Sequence, residues 1–289
     1  MTLSNLNEEN MLLVVESGST KADWMLVDNE QETIFVTKGF NPYFHSKEDI
    51  LNELNGNYDL NLIKNEVSQL YFYGAGCSIP ELNAVVKSAL SAYFTKAVVK
   101  VDHDLKASAY ACYGGNPEIA CILGTGSNSC YFDGKKIIEA VPALGHILGD
   151  EGSGSYFGKR ILSDFLYQRL PQVMAEELDD LGLNKEVIIE HVYMLPDANV
   201  YIASFMPILI RHKNLRYCQE VIEEGIRKFI DIHVKCYDNY KDVEVNFVGS
   251  MACLLQDELK KVCDSEGINM GTIIRKPLKA LVDYHLSLQ

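Results

Sequence analysis

Two glycine-rich segments carry the most distinctive chemistry of this 289-residue chain: residues 16–21 (ESGSTK) and residues 124–128 (GTGSN). Each follows a short apolar run, where glycine can take positive φ and turn successive N–H groups toward one point. Such a nest binds anionic oxygens without any cationic side chain. In the second segment, Gly124 and Gly126 shape the turn while the hydroxyls of Thr125 and Ser127 add donors. In the first, Gly18, Ser19 and Thr20 form the same device. Glu16 can accept a magnesium-bound water, since Mg²⁺ favours a carboxylate with retained waters. Lys21 can neutralise phosphate charge, although an exposed strand lysine is its plainer role. Either segment alone also suits an ordinary hairpin turn; two of them in matching places of two half-chains favour a polyphosphate ligand. The P-loop pattern is absent. Residues 154–159 come nearest, but the spacing is wrong and Arg160 replaces the Ser or Thr that would meet magnesium.

Asp104 follows an apolar strand and suits a general base that takes a proton from a hydroxyl nucleophile. Asp102 is its local rival, and either carboxylate can instead cap the next helix. Residues 145–154 (GHILGDEGSG) concentrate glycines, Gly145 among them, around an Asp-Glu pair just before an amphipathic helix, which marks a ligand-contacting loop. Asp150 suits hydrogen bonding to sugar hydroxyls, while Glu151 and Ser153 suit the helix start. Gly249-Ser250 ends a further strand and opens a helix; a glycine there lets a flat ligand such as adenine approach, or simply makes a βα turn. The seven histidines show no metal spacing, and structural or surface roles are expected for them, His191, His212 and His233 included.

The elements that must position these residues follow from periodicity. Residues 11–16 and 22–28 read as a hairpin around Gly18, continued by 33–37. Helices are predicted over 47–54 and 60–66, a strand over 67–73, a helix from Pro80 and a strand over 97–101. The pattern restarts with strands at 119–123, 129–133 and 136–140. Residues 156–240 read as mostly helical, followed by a strand at 243–248, a helix over 251–264, a strand at 271–274 and a closing helix over 278–286. This repetition predicts a duplicated α/β fold with a cleft between lobes, the crossover lying near residues 102–108.

A net charge of −14 argues against nucleic-acid or acidic-membrane partners, and it leaves phosphate binding to backbone N–H groups, local cations and a metal. The eight cysteines form no CxxC pair and read as buried thiols in a reducing compartment. Residues 1–10 lack a signal-peptide pattern, and no apolar run approaches the roughly 20 residues needed to span a bilayer. A cytoplasmic protein is the expectation.

Taken in order, residues 16–21, Asp104, residues 124–128, residues 145–154 and VGS at 248–250 resemble the N-acetylglucosamine kinase branch of the BadF/BadG/BcrA/BcrD ATPases, within the actin-like, sugar-kinase and Hsp70 superfamily. The resemblance spans nearly the whole chain. It implies an α/β fold of two ribonuclease H-like lobes, residues 1–105 with a closing helix of about 277–289 packed back, and residues 106–276 with a helical insertion. It implies ATP and Mg²⁺ as cofactors and phosphorylation of N-acetylglucosamine at the 6-hydroxyl. Asp104 matches the catalytic base. Gly18, Ser19, Thr20 and Gly124 to Ser127 match the phosphate turns, and Gly249-Ser250 the adenosine turn. Asn41, Asn128 and Asp150 match positions that contact the amino sugar. A homodimer is compatible with the resemblance, although the chain is shorter than the mammalian kinases. Leu144 stands where those kinases carry Trp, so the sugar pocket wall differs. Two other readings remain: an iron–sulfur activator ATPase, for which Cys121 three residues before Gly124 speaks, and a catalytically silent nucleotide- or sugar-binding regulator.

Overall fold

A computed structural model describes residues 11–18, 21–29 and 31–288. The N-terminal residues 1–10 and the candidate residues Ser19 and Thr20 lie outside this set. The chain divides into two units, Met1–Ala111 with Pro277–Gln289, and Cys112–Lys276.

In the first unit, strands β1 (Leu12–Ser17), β2 (Lys21–Asp28) and β3 (Gln31–Lys38) run antiparallel in sequence, and β4 (Gln69–Gly74) and β5 (Val98–His103) join β1 in parallel. The order is β3-β2-β1-β4-β5. Strand period 2 sends Leu13, Val15, Trp24 and Leu26 to one face, where they pack with Ile50, Leu54, Leu60, Val86 and Leu90 of helices α1 (Lys47–Gly56), α2 (Tyr58–Ile63) and α3 (Pro80–Tyr93). Leu12, Val14, Met25 and Val27 face the other way, onto α4 (Asp104–Cys112) and the closing helix Leu278–Ser287. Both faces of β1 are covered, so it reads as an unbroken apolar run. Local signals set the helix starts. Ser46 and Asp49 form a capping box at α1, and Pro80 occupies the first turn of α3.

The second unit repeats this plan. Strands β6 (Glu118–Leu123), β7 (Ser127–Phe132) and β8 (Ile137–Ile138) are antiparallel, and β9 (Glu244–Val248) and β10 (Met270–Ile274) extend the sheet in parallel. The order β10-β9-β6-β7-β8 is the first sheet's order read from the other edge. Each unit is therefore a ribonuclease H-like fold. Helices α5 (Gly145–Leu148), α6 (Gly154–Leu166), α7 (Gln172–Asp180), α8 (Lys185–Tyr193), α9 (Ala198–Ala203), α10 (Met206–Arg211) and α11 (Arg216–Phe229) are inserted between β8 and β9. A π-turn, Ile230–Val234, ends α11. Helices α12 (Ser250–Leu254) and α13 (Gln256–Glu266) link β9 to β10.

Several boundaries differ from expectation. The strand predicted at 136–140 shrinks to Ile137–Ile138, because only those residues pair with β7. The single helix predicted over 251–264 breaks at Leu255, whose φ/ψ of −110°/25° leaves the helical region. Strand β5 runs on to His103, and residues 104–108 of the segment where the crossover is expected form the first turns of α4. None of the eight cysteines is in a disulfide, and five are buried. No helix among the described residues is long and apolar enough to cross a membrane.

Candidate active site

In the first unit the candidates gather at the carboxyl ends of the parallel strands. Ser17, Gly74 and His103, the last residues of β1, β4 and β5, stand in one row of the sheet. Gly18 leads out of β1, with its N–H on the Lys21 carbonyl at 2.9 Å. The base of this turn is anchored from two sides: Ala75 N–H donates to the Ser17 carbonyl at 2.9 Å, and Phe40 N–H to Ser17 Oγ at 2.8 Å. The second bond brings in Asn41. Its buried side chain accepts Tyr43 N–H through Oδ1 at 3.0 Å, and it lies so close to Gly76 (φ +80°) that a Cβ there would be 2.3 Å from Oδ1. Only glycine tolerates both that φ and that approach.

One residue back, a second row crosses the sheet: Asp23, Glu16, Tyr73 and Asp102 are successive cross-strand partners. Glu16 and Asp23 place two carboxylates side by side at the turn, the hard oxygen donors that Mg²⁺ takes together with waters. Among the described residues no group of three His, Cys, Asp or Glu could hold a metal ion unaided. Asp23 was missed in the sequence, yet counting finds it. Four residues, 18–21, separate Ser17 from its partner Ala22, which sets Glu16 opposite Asp23. Lys21 begins β2 and pairs with Asp23 at 2.6 Å, so part of its charge is already engaged.

The two aspartates that compete for the general-base role are separated by their positions. Asp102 is the penultimate residue of β5, ion-paired to Lys106 Nζ at 2.5 Å and bonded to His103 N–H at 3.1 Å. Asp104 opens α4 in its first turn. Both raise the thiol of Cys77, which burial first of all pushes up to about 12. Burial keeps that cysteine a neutral neighbour of the two carboxylates.

In the second unit three segments converge. The turn at 124–126 closes with Gly124 N–H on the Gly126 carbonyl at 3.0 Å. Its outward carbonyls are taken by the start of α6: Gly154 N–H donates to Gly124 at 2.8 Å, and Ser155 N–H and Oγ donate to Thr125 at 3.0 and 2.6 Å. The amides of Thr125 and Gly126 donate to nothing among the described residues and are left to a ligand or solvent. Ser127 and Asn128 belong to β7 rather than to the turn. Asp150 closes the arrangement. Its Oδ1 accepts Ser127 N–H at 3.1 Å, its Oδ2 accepts Ser155 Oγ–H at 3.3 Å, and a Cβ on Gly126 would come within 2.9 Å of it. Burial raises its carboxyl above the ordinary value, opposed by those two donors and by Lys159 and His146. Its φ of 60° is left-handed, strained for a non-glycine residue and sustained by these bonds.

Gly249 is the third segment. With φ +126°, it passes so near the turn that a Cβ would be 2.2 Å from the Leu123 carbonyl oxygen and 3.2 Å from Gly124 N. Its N–H bonds the Ile274 carbonyl at 2.8 Å, and Ser250 opens α12. Gly145 (φ +67°) starts the four-residue α5, in which Ile147 and Leu148 are exposed, as is Leu144 just before it; its carbonyl accepts Gly149 N–H, and it has no hydrogen bond to the other candidates among the described residues. Ser155 was not singled out from the sequence, although a hydroxyl two residues after the helix-capping Ser153 was there to be read. Glu151 and His233 were missed as a pair, and nothing in the sequence brings them together. His233 is buried, with Nε2 3.6 Å from Glu151 Oε2.

No family model and no curated protein matches the chain. Among solved structures, a provisionally assigned N-acetylglucosamine kinase from Porphyromonas gingivalis is 33% identical, with a TM-score of 0.90, over 96% of this chain and 99% of that one. A second such protein from Chromobacterium violaceum is 14% identical at a TM-score of 0.72, covering 96% and 99% of the two chains. A ROK family glucokinase from Streptomyces griseus, in complex with glucose and AMPPNP, is 16% identical at 0.55, again over 96% and 99%. The latter two share the fold.

Proposed function

This chain belongs to the N-acetylglucosamine-kinase-like family of sugar kinases, and from that premise we propose that it transfers the γ-phosphoryl group of ATP to the 6-hydroxyl of an amino sugar, N-acetylglucosamine first. The observation that carries the reading is the turn at 124–126. Its Gly124 and Thr125 carbonyls are turned away into α6, its Thr125 and Gly126 amides have no partner among the described residues, and Asp150 accepts the N–H of the adjoining Ser127. One segment thus offers donors for phosphate beside an acceptor for sugar hydroxyls.

The roles follow from chemistry. Asp104 accepts the proton of the sugar hydroxyl as its oxygen bonds to the γ-phosphorus and the bond to the β-phosphate oxygen breaks, releasing ADP. The backbone amides of Thr125 and Gly126 orient and neutralise the phosphates, Gly18 and Gly124 shape the two turns, and Ser127, Ser19, Thr20 and Lys21 are assigned alongside them. Gly249 and Ser250 admit the adenosine. Asn41, Asn128 and Asp150 bind sugar hydroxyls and the acetamido group, with Gly145 and Leu144 in the loop before Asp150. Glu16, joined by Asp23, would hold Mg²⁺ through its waters, and the ion would supply charge neutralisation on the phosphates.

The iron–sulfur alternative rested on Cys121. That residue is fully buried in β6 within the core, and burial pushes its thiol well up, so it is a poor thiolate donor. The test of the kinase reading is ADP release with Mg²⁺ across glucosamine, N-acetylglucosamine, N-acetylmannosamine and N-acetylmuramic acid. ADP release dependent on N-acetylglucosamine is expected. Silence on all four sugars would sink the proposal and favour a binding regulator.

A further inference from the structure

The two candidate sugar contacts of the second unit, Asn128 and Asp150, stand on separate segments, and one buried residue grips both. His233 lies in the π-turn after α11 and is 3% exposed. Its carbonyl accepts Ser129 Oγ–H at 2.5 Å, and Ser129 in turn donates its N–H to Asn128 Oδ1 at 2.8 Å. Tyr237 adds a hydroxyl bond to the Ser129 carbonyl at 3.1 Å. On its other side, the imidazole Nε2 lies 3.6 Å from Glu151 Oε2, on the residue that follows Asp150.

The surroundings leave the ring little freedom. It stacks on Phe229 with centroids 5.1 Å apart and planes 23° from parallel. Nδ1 is buried without a hydrogen-bond partner, so Glu151 is the ring's only polar contact among the described residues. The loop itself is pressed onto α11: a Cβ at Gly152 (φ +70°) would sit 3.0 Å from Phe229 Cβ and 3.2 Å from the Gly225 carbonyl. A π-turn inserts an extra residue into the helical ladder and re-aims the side chains that follow; here Lys235 N–H bonds the Ile230 carbonyl, five residues back, at 2.9 Å.

We infer that His233 is a positioning residue for amino-sugar binding, holding the left-handed Asp150 turn through Glu151 and the Asn128 strand through Ser129. The inference rests on the reading of Asp150 and Asn128 as sugar contacts. The left-handed backbone of Asp150 persists only where its neighbours hold it, and Glu151, whose side chain is 18% exposed, is such a neighbour. Burial holds the imidazole below its ordinary value against the pull of Glu151 and Asp150, and the ring faces Glu151 with its Nε2 edge. Without that contact a largely buried carboxylate turns toward solvent and takes the adjoining Asp150 with it.

The test compares His233→Phe, which keeps the ring on Phe229 and removes the nitrogen, with His233→Gln, which restores an N–H donor. Sugar binding is read by calorimetry, and KM and kcat are measured for both substrates. For His233→Phe we expect a rise of about tenfold or more in the sugar Kd and KM, with the KM for ATP within about twofold of wild type and most of the loss recovered in His233→Gln. If His233→Phe does not fold, Glu151→Gln is expected to raise the sugar KM in the same selective way. Unchanged sugar affinity in the variant that folds, or an equal loss for sugar and ATP, overturns the inference. A wild-type protein that binds no amino sugar removes the functional reading instead, and the inference with it.

Discussion

Asp104 and Asp102 are two residues apart and of one chemical type, yet they stand in different surroundings. Asp102 is committed to Lys106 at 2.5 Å, an i,i+4 pair with both side chains about one-third exposed. Such a half-solvated pair contributes about 0–1 kcal/mol. Asp104 stands past the strand end, where β5 passes into α4. Asp104→Asn is expected to lower kcat by about 10²–10⁴ while ATP still binds, as general-base loss does. Asp102→Asn is expected to stay within about tenfold of wild type. Steady-state rates with nucleotide affinity measured alongside check both. The reverse ranking would move the base to Asp102. The sequence offers both aspartates as candidates, since a carboxylate after a strand serves equally as base or cap; the ion pair with Lys106 comes from the turn of α4.

At the scale of elements, the turns work because their backbones come closer than side chains allow. Gly249 brings the start of α12 against the end of β6, and its φ of +126° with a 2.2 Å approach to the Leu123 carbonyl leaves no room for a methyl group. Gly249→Ala is expected to cost about 1–3 kcal/mol from backbone strain alone, more from the clash, and to weaken nucleotide binding at the adjoining Gly124 turn. Urea unfolding and ATP titration check this, and an unchanged midpoint would refute the close-approach argument. The same logic explains Asp150. Its residue type suggests a sugar contact in the sequence, but its bond to Ser127 N–H requires the loop before α6 to fold back on the β6–β7 turn. The anchors that produce this, Gly154 and Ser155 on Gly124 and Thr125, join residues thirty positions apart, a distance at which no local pattern speaks.

Across the whole molecule, the same strand order occurs twice, with three antiparallel strands followed by two parallel ones, and the candidate turns stand at equivalent strand ends. At the opposite end of the second sheet lies a buried acid outside the site. Glu118 begins β6, with Oε2 accepting Asn246 Nδ2–H at 2.9 Å and Oε1 buried without a partner. Burial, reinforced by Glu244, pushes its carboxyl up to about 8 from an ordinary 4.5. A raised acid stays protonated in the fold where the unfolded chain has already ionised. Its contribution to stability is therefore full below about pH 4.5 and is lost as pH rises from there toward 8. Glu118→Gln is expected to flatten the decline of stability across this window, by at most about 1.4 kcal/mol per pH unit, and to be relatively more stable at pH 8. Denaturant titrations at several pH values check it; parallel wild-type and variant curves would refute it. Legible along the chain are the repeated strand–turn–strand pattern, the glycine-rich turns and the apolar faces, because strand period, helix period and glycine's freedom act over a few residues. The folded chain is needed to bring Ser155 and Asp150 onto the second turn and His233 to Glu151. Those contacts depend on the left-handed turn at Asp150 and on the π-turn after α11, and each arises from packing between segments far apart in the chain.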